Sequence, residues 1–600
     1  MTIARWPNEG YSKLTKVYDP VANSWITSTN SSAYNNIYNA RVDFSGKTQA
    51  QIQALKSDEL IAKAKTGITF GVDSSKNVSD WENATDALMF GYWFHDWATQ
   101  TMPLGTVDTV NNAVTSKYAS YYGAKKDARF YVFNLLEELD CDGEYYIDRT
   151  SKDNDVLYFY KEQAPDSDSK ITLSLLSDST PMLKISSNAK ITVDGLTFEN
   201  SRGTGISLSE SENTVVQNCE LRNLGSNAIS VYATNCIVKN NYIHDTNGGI
   251  NVGHPGSYAA NLTESNNIIA NNEIKNFSRL DKVYIDGINV SGVANKVYGN
   301  KIHQAEHLAA RITGYNNEFY NNEITDVLRE CDDAGAIYMG RTWADRGNKI
   351  YSNYIHDLAV SNTDVTAGDS PVAGIFLDDH YAGGYIEGNV FKNINGHGVR
   401  LNRGRENTIT NNLFVECSLG GILITGPDHN DGYTYANNYA SSHGTTFETM
   451  KGYLDNEAWK NTFPALCVYA LSTEPEYDFG TQALNIVTKN LTIDCGKNNN
   501  NMGIKVSAFS ADFDYPSVEY TDADGNIKTL DLDGVIENNA SEANTIKAVL
   551  GNNAYMTKSV TSDDSDFAAA AQNPALATTE LAFKAGITGF IPIDFTSMRK

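Results

Sequence analysis

The sequence is poor in cysteine. Its 600 residues hold seven, with none in a close pair, a CxxC or a zinc-type spacing. That excludes a disulfide framework and a zinc-ribbon class. The seven read as small buried hydrophobes. Proline is also scarce at 13, so long proline-rich linkers are not expected. No run of 18 apolar residues occurs, so no transmembrane helix is expected. The start, MTIARWPNEGY, lacks a basic stretch followed by an apolar one, so no signal peptide is visible. A secreted, periplasmic or cell-surface home is the expectation, with a cytoplasmic one left open. Positive charge is the scarcer sign, Lys+Arg 47 against Asp+Glu 73, for a net charge of -26. Such a balance disfavours nucleic acid or an anionic membrane as the partner. Charged residues reach only 20 %, while Gly 45 and Tyr 34 give a turn-rich, aromatic mix unlike a disordered chain. At this length one ordinary core is excluded, leaving about four domains or one elongated repeat.

The middle of the chain repeats itself. VVQNCEL, IVKNNYI, IIANNEI, VYGNKI, EFYNNEI, IYSNYI, YIEGNVF and TITNNLF follow one another between residues 215 and 414. Aligned on the closing apolar residue, one turn position reads Cys219, Asn241, Asn272, Asn300, Asn322, Asn353, Asn389 and Asn412. The first member departs from the rule, its Asn218 lying one residue early. The shortest spacings are 22 and 23 residues, and the longer ones read as the same unit with loops inserted. Short alternating strands in a coil of this size predict a parallel β-helix. Asparagine at a fixed turn tolerates left-handed backbone, and stacked asparagines predict a ladder inside the coil.

A second strand aligns in each coil. Ile250, Ile288, Ala310, Ile337, Ile375, Val399 and Ile422 are read as inward, as are Val252, Val290, Ile312, Met339, Leu377, Leu401 and Ile424. The residues between them then face outward. That column reads Asn251, Asn289, Arg311, Tyr338, Phe376, Arg400 and Leu423. The next outward column ends in Gly340, Asp378, Asn402 and Thr425. Aromatics, arginines and amides spaced by glycines are what a sugar-binding groove needs. The fold class expected is all-β, a right-handed parallel β-helix with an N-terminal mixed or β-sandwich-like accessory region. The expected boundaries are 1–165 for that region, 166–555 for the β-helix and 556–600 for a C-terminal cap. Within the first, DGEYYID and NDVLYFY predict a hairpin, and ALKSDELIAKAKTG (54–67) predicts a short helix.

The run NNEITDVLRECDDAGAIYMGRTWADRGNKIYSNYIHDL (321–358) resembles glycoside hydrolase family 141 and its β-helix relatives. GIFLDDHYAGGYIEGNVF (374–391), GRENTITNNLFVEC (404–417), RWPNEGY, GYWFHDWA and NLLEELDCDGEYYID share the likeness. The resemblance implies a glycosidase acting on a plant-type or other complex polysaccharide through two aspartates. Those are Asp333 or Asp332 of CDDAG, and Asp379 or Asp378 of LDDH. The chemistry agrees with such a pair, since glycoside hydrolysis needs one carboxylic acid and one carboxylate. Paired carboxylates also raise one another's pKa. Arg311, Tyr338, Arg341, Trp343, His380, Arg400, Arg403 and His307 are the expected substrate contacts. Phe376 and Tyr381 are further stacking candidates, and the loop 358–372 is expected to wall one end of the groove.

Register raises a difficulty. Asp333 lies four residues before Ile337, and Asp379 four after Ile375. Eight residues of straight strand span about 26 Å, whereas a catalytic pair lies within about 5–10 Å. A sharp bend at Ala334-Gly335, a different register, or another acid (Asp286, Glu330 or Glu306) would resolve it. No cofactor is expected, since no GGxGxD repeat or EF-hand loop occurs, with an incidental structural Ca²⁺ left open. Two alternatives stand beside the hydrolase: a polysaccharide lyase using the arginines, and a non-catalytic glycan binder.

Overall fold

The computed structural model describes residues 2–28, 67–150, 154–163, 176–359, 371–425 and 450–470, apart from 21, 343 and 403, then 485–498 and shorter stretches to 593. Contacts divide the chain into two units, Met1–Thr172 and Leu173–Lys600.

The first unit is mostly antiparallel β, with Thr2–Ile3 parallel to Glu144–Asp148. Strands Lys16–Asp19, Thr69–Gly71, Leu88–Tyr92, Gln100–Asp108, Ala113–Ser116 and Arg129–Phe133 pair side by side. They bury Phe70, Trp81, Met89, Trp93, Phe130 and Val132 on one face. The hairpin forms as expected, with Glu144–Asp148 antiparallel to Val156–Phe159. The expected helix at 54–67 lies outside the described residues, apart from Gly67.

The second unit is a right-handed parallel β-helix with three strands per coil. A long parallel sheet holds two strand columns, and a second sheet of three-residue strands forms the third side. The inward columns fall as the sequence reads. Ile250, Ile288, Ala310, Ile337, Ile375, Val399 and Ile422 are successive register partners. All are at most 1 % exposed. Alternation decides this: with a side-chain period of two, each apolar position points into the coil and its neighbour points out.

The asparagine ladder is present, with a division of labour the sequence alone does not disclose. The side-chain Oδ1 of each ladder residue accepts two bonds from the previous one, from its backbone N–H and its Nδ2. Asn322 donates both to Asn353 at 3.0 Å, and Asn353 donates both to Asn389 at 3.0 Å. The left-handed backbone sits one residue earlier, at Asn240, Asn271, Asn321, Ser352 and Asn411. Asn218, with φ 55, fills that same site, which explains its early position in the first repeat. A second ladder runs along the other end of the short strands through Asn267, Asn295, Asn317 and Asn348. It continues at Asn407 and Asn485. Between Asn348 and Asn407 its place is taken by Tyr381, whose hydroxyl accepts from Asn348 Nδ2 at 3.0 Å.

Few residues of the expected cap, 556–600, are among the described ones. Ala582, Ala585, Ile587 and Phe590 pack on Tyr354, Val390, Leu413, Val415, Leu491 and Ile493 along the side of the solenoid.

Candidate functional site

Five strands position the site: Ile288–Val290, Ala310–Ile312, Gly335–Gly340, Val372–Asp378 and Gly396–Asn402. Their outward column is the expected one, with Asn289, Arg311, Tyr338, Phe376 and Arg400 in successive register. In the adjacent outward column Gly340 partners Asp378. Gly340 is required there, because a Cβ would stand 2.9 Å from the Asp378 Cβ and 3.1 Å from the Tyr338 hydroxyl.

Asp378 is held by three donors. The Tyr338 hydroxyl donates to Oδ2 at 2.9 Å. The Asn402 Nδ2 and the Asp379 backbone N–H donate to Oδ1 at 3.0 and 2.8 Å. This acceptor pattern suits an ionised carboxylate fixed in one orientation. Burial and the Asp378 charge push the Tyr338 hydroxyl pKa up, so it stays a donor.

Asp333 comes to the same face from the preceding corner. Its backbone is left-handed, with φ 46, and the strand begins at Gly335. The bend therefore includes Asp333 itself. Gly335 lets the chain run close to Phe376, where a Cβ would meet the Phe376 Cβ at 2.6 Å. The Arg400 guanidinium then reaches across, donating from Nη1 to Asp333 Oδ1 at 2.7 Å and to the Pro371 carbonyl at 3.1 Å. It lies over the Phe376 ring, 4.4 Å from its centroid. Burial pushes the Asp333 pKa up, the Arg400 cation pulls it down, and the Asp378 charge pushes it up again, leaving it above the usual carboxylate value. The two aspartates thus share one electrostatic site.

The remaining expected residues divide. Asp379 has a left-handed backbone, with φ 36, and accepts no bond from the Tyr338 hydroxyl, which goes to Asp378. Its Oδ2 lies 3.6 Å from Arg341 Nε, and Asn402 Nδ2 approaches its Oδ1 at 3.4 Å. Asp332 directs Oδ1 into the protein, where water does not reach it. Arg311 is tied to Asp286, Nε to Oδ2 at 3.0 Å, and its guanidinium lies 5.6 Å from the Tyr338 centroid. Of the reserve acids, Asp286 is therefore an arginine partner. Glu306 lies 3.4 Å from Lys282 and 4.0 Å from Arg329.

Four of the expected contacts are buried. His307 and His380 are only 4 % and 3 % exposed. Burial, helped by the Arg311 cation, pushes the His307 pKa down to about 3, so the ring is neutral. Phe376 is covered by Arg400 and is 1 % exposed, while Tyr381 is wholly interior as the ladder substitute. Trp343, Arg403 and most of the loop 358–372 lie outside the described residues. Sequence reasoning missed Asn402. Its signal is in the sequence, since it stands next to Asp378 in the same outward column.

Residues 164–302 and 256–440 match the family model described as the right handed beta helix region. No curated protein matches the chain. A solved structure titled glycoside hydrolase is 12 % identical, covering 58 % of this chain and 71 % of that one, with a TM-score of 0.41. The periplasmic alginate epimerase AlgG is 10 % identical, with coverages of 55 % and 74 % and a TM-score of 0.30. The catalytic unit of a thermostable GH87 α-1,3-glucanase from Streptomyces thermodiastaticus is 12 % identical, with coverages of 60 % and 86 % and a TM-score of 0.24. At such values these likenesses carry no activity over to this chain. The family match and the strand register together make the second unit a right-handed β-helix.

Proposed function

We propose that this chain is a glycoside hydrolase in which Asp333 is the general acid and Asp378 the partner carboxylate. The observation that carries the reading is the placing of these two unlike carboxyls on one outward face of the coil. One is partly desolvated with a raised pKa, and the other is held by three donors. Hydrolysis needs that inequality: the protonated carboxyl supplies the leaving oxygen's proton, while the other attacks the anomeric carbon or activates water. The pair combines one residue from each doubled aspartate of the family 141 resemblance, with Asp378 in place of Asp379. Asp379 instead orients Arg341 and the Asp378 side chain.

The arginines favour hydrolysis over β-elimination. A lyase uses cations to neutralise a uronate, yet among the described residues of this face Arg311, Arg341 and Arg400 each already face a carboxylate. The substrate is accordingly a neutral polysaccharide or oligosaccharide. The deciding experiment is a product assay on a panel of neutral and uronate-containing cell-wall polysaccharides. Reducing sugar without the ultraviolet absorbance of an unsaturated uronate supports hydrolysis, and that absorbance would overturn it.

Arg400 gives a pH test of the acid. Its cation favours ionised Asp333, so its removal raises the Asp333 pKa, and the acid form then persists to higher pH. In Arg400→Gln the alkaline limb of kcat/KM moves upward by about 1–3 pH units, the usual effect of an arginine on a neighbouring aspartate. A limb that stays put or moves down contradicts Asp333 as the acid.

A further inference from the structure

We infer that the catalytic face continues toward the N-terminal coils as a groove for one polysaccharide chain, with Tyr232 as a remote sugar-stacking subsite. This rests on the acid-pair reading and adds the direction and length of the substrate. Tyr232 belongs to the same outward column as Asp378. It partners Gly253 directly, and the register runs on through Ser291, Thr313 and Gly340 to Asp378. Five coil steps at about 4.8 Å place the ring about 24 Å from the acid pair along the helix axis.

Tyr232 is built as a fixed platform. Its ring lies against Gly253, where a Cβ would stand 2.7 Å from Cε1. Asn251 of the next coil donates from Nδ2 to its hydroxyl at 3.2 Å. The residue is nonetheless 46 % exposed. An immobilised aromatic with an open surface, continuous with a polar site, offers stacking to the apolar face of a pyranose. Between Tyr232 and Asp378 the column carries no side chain larger than threonine and none that is charged. A neutral chain passes along such a floor without losing ionic hydration, and an anionic one meets no cation in that column.

The test is kcat/KM over a ladder of neutral oligosaccharides, about two to eight units long. They are prepared from the polysaccharide on which the wild-type protein releases reducing sugar. Rates are compared for wild type, Tyr232→Ala and Tyr232→Phe. Wild-type kcat/KM rises with length until the chain spans the groove. Tyr232→Ala loses about tenfold on the long members, the size of one good aromatic contact, and stays within about twofold on the shortest. Tyr232→Phe keeps most of the gain, because the ring remains. An equal loss at every length, or wild-type rates independent of length, overturns the subsite while the acid pair stands. Failure of the wild-type protein to release reducing sugar from any neutral polysaccharide overturns both.

Discussion

Replacing Asp333 or Asp378 by asparagine lowers kcat/KM by about a hundred- to ten-thousand-fold, the range for loss of a positioned acid or base. Asparagine keeps the size and much of the hydrogen bonding of each side chain. Its amide can neither release a proton to a leaving oxygen nor act as nucleophile or base. The fold tolerates both changes, because the residues lie on the outward face and the Asp333 side chain is 33 % exposed. The two losses do not add, since each disables the same step, so the double variant is about as inactive as the worse single one. Asp379→Asn is milder, because that carboxylate meets Arg341 only at 3.6 Å. Reducing-sugar release by the four variants and the wild type, with circular dichroism to confirm folding, checks all of this. Full activity in Asp378→Asn with loss in Asp379→Asn would reassign the second carboxylate.

The second large effect is on stability. Asn353→Ala destabilises the β-helix by about 3 kcal/mol or more, read as a lower denaturation midpoint. The Asn353 amide accepts the Asn322 backbone N–H and Nδ2, and donates to the Phe319 carbonyl at 3.0 Å. Alanine orphans the Asn322 backbone N–H and one N–H of the Asn322 amide, and takes a donor from the Phe319 carbonyl, in a fully buried site. Each buried unsatisfied group costs about 1–3 kcal/mol, against a total stability of about 5–15 kcal/mol. The neighbouring Ser352→Gly is the control, since Ser352 is left-handed, with φ 54, and glycine adopts that backbone freely. It should leave stability unchanged or raise it. A loss below about 1 kcal/mol in Asn353→Ala would mean that water or relaxation satisfies the orphaned groups.

These two cases mark what could be read from the chain. The inward columns were legible because a period of two, repeated at the same place in each coil, leaves no choice of face. The first ladder was legible because the same residue type returns at one turn. The second obeyed the same rule through Asn267, Asn295, Asn317 and Asn348, and would have emerged from aligning the short strands at their first residue. The site was legible as a face but not as a pair. Whether Asp378 or Asp379 lies beside Tyr338 depends on a left-handed φ of 36 at Asp379 and on Asn402. Neither leaves a periodic signal. Phe376 was placed outward correctly, yet it is covered, because Arg400 folds over the ring to reach Asp333. Side-chain rotamers of that kind are chosen by partners distant in sequence.

The ladder has a consequence for how such a molecule changes over evolution. Its bonds keep the same geometry, about 3.0 Å, whether consecutive members are 22, 36 or 78 residues apart. Loop closure grows only logarithmically, at about 0.6 kcal/mol per doubling. Stretching one connection from 22 to 78 residues therefore costs about 1 kcal/mol. Excursions can be lengthened or exchanged at the corners at little cost in loop closure, provided the packing they make on the frame is kept, as Trp459 and Leu466 pack beside Tyr315 and Ala344. Diversification of what this scaffold grips is therefore cheap in chain entropy, and grafting a foreign excursion after the strand Gly420–Thr425 and before Asn485, with the frame strands kept, is the economical way to redesign it.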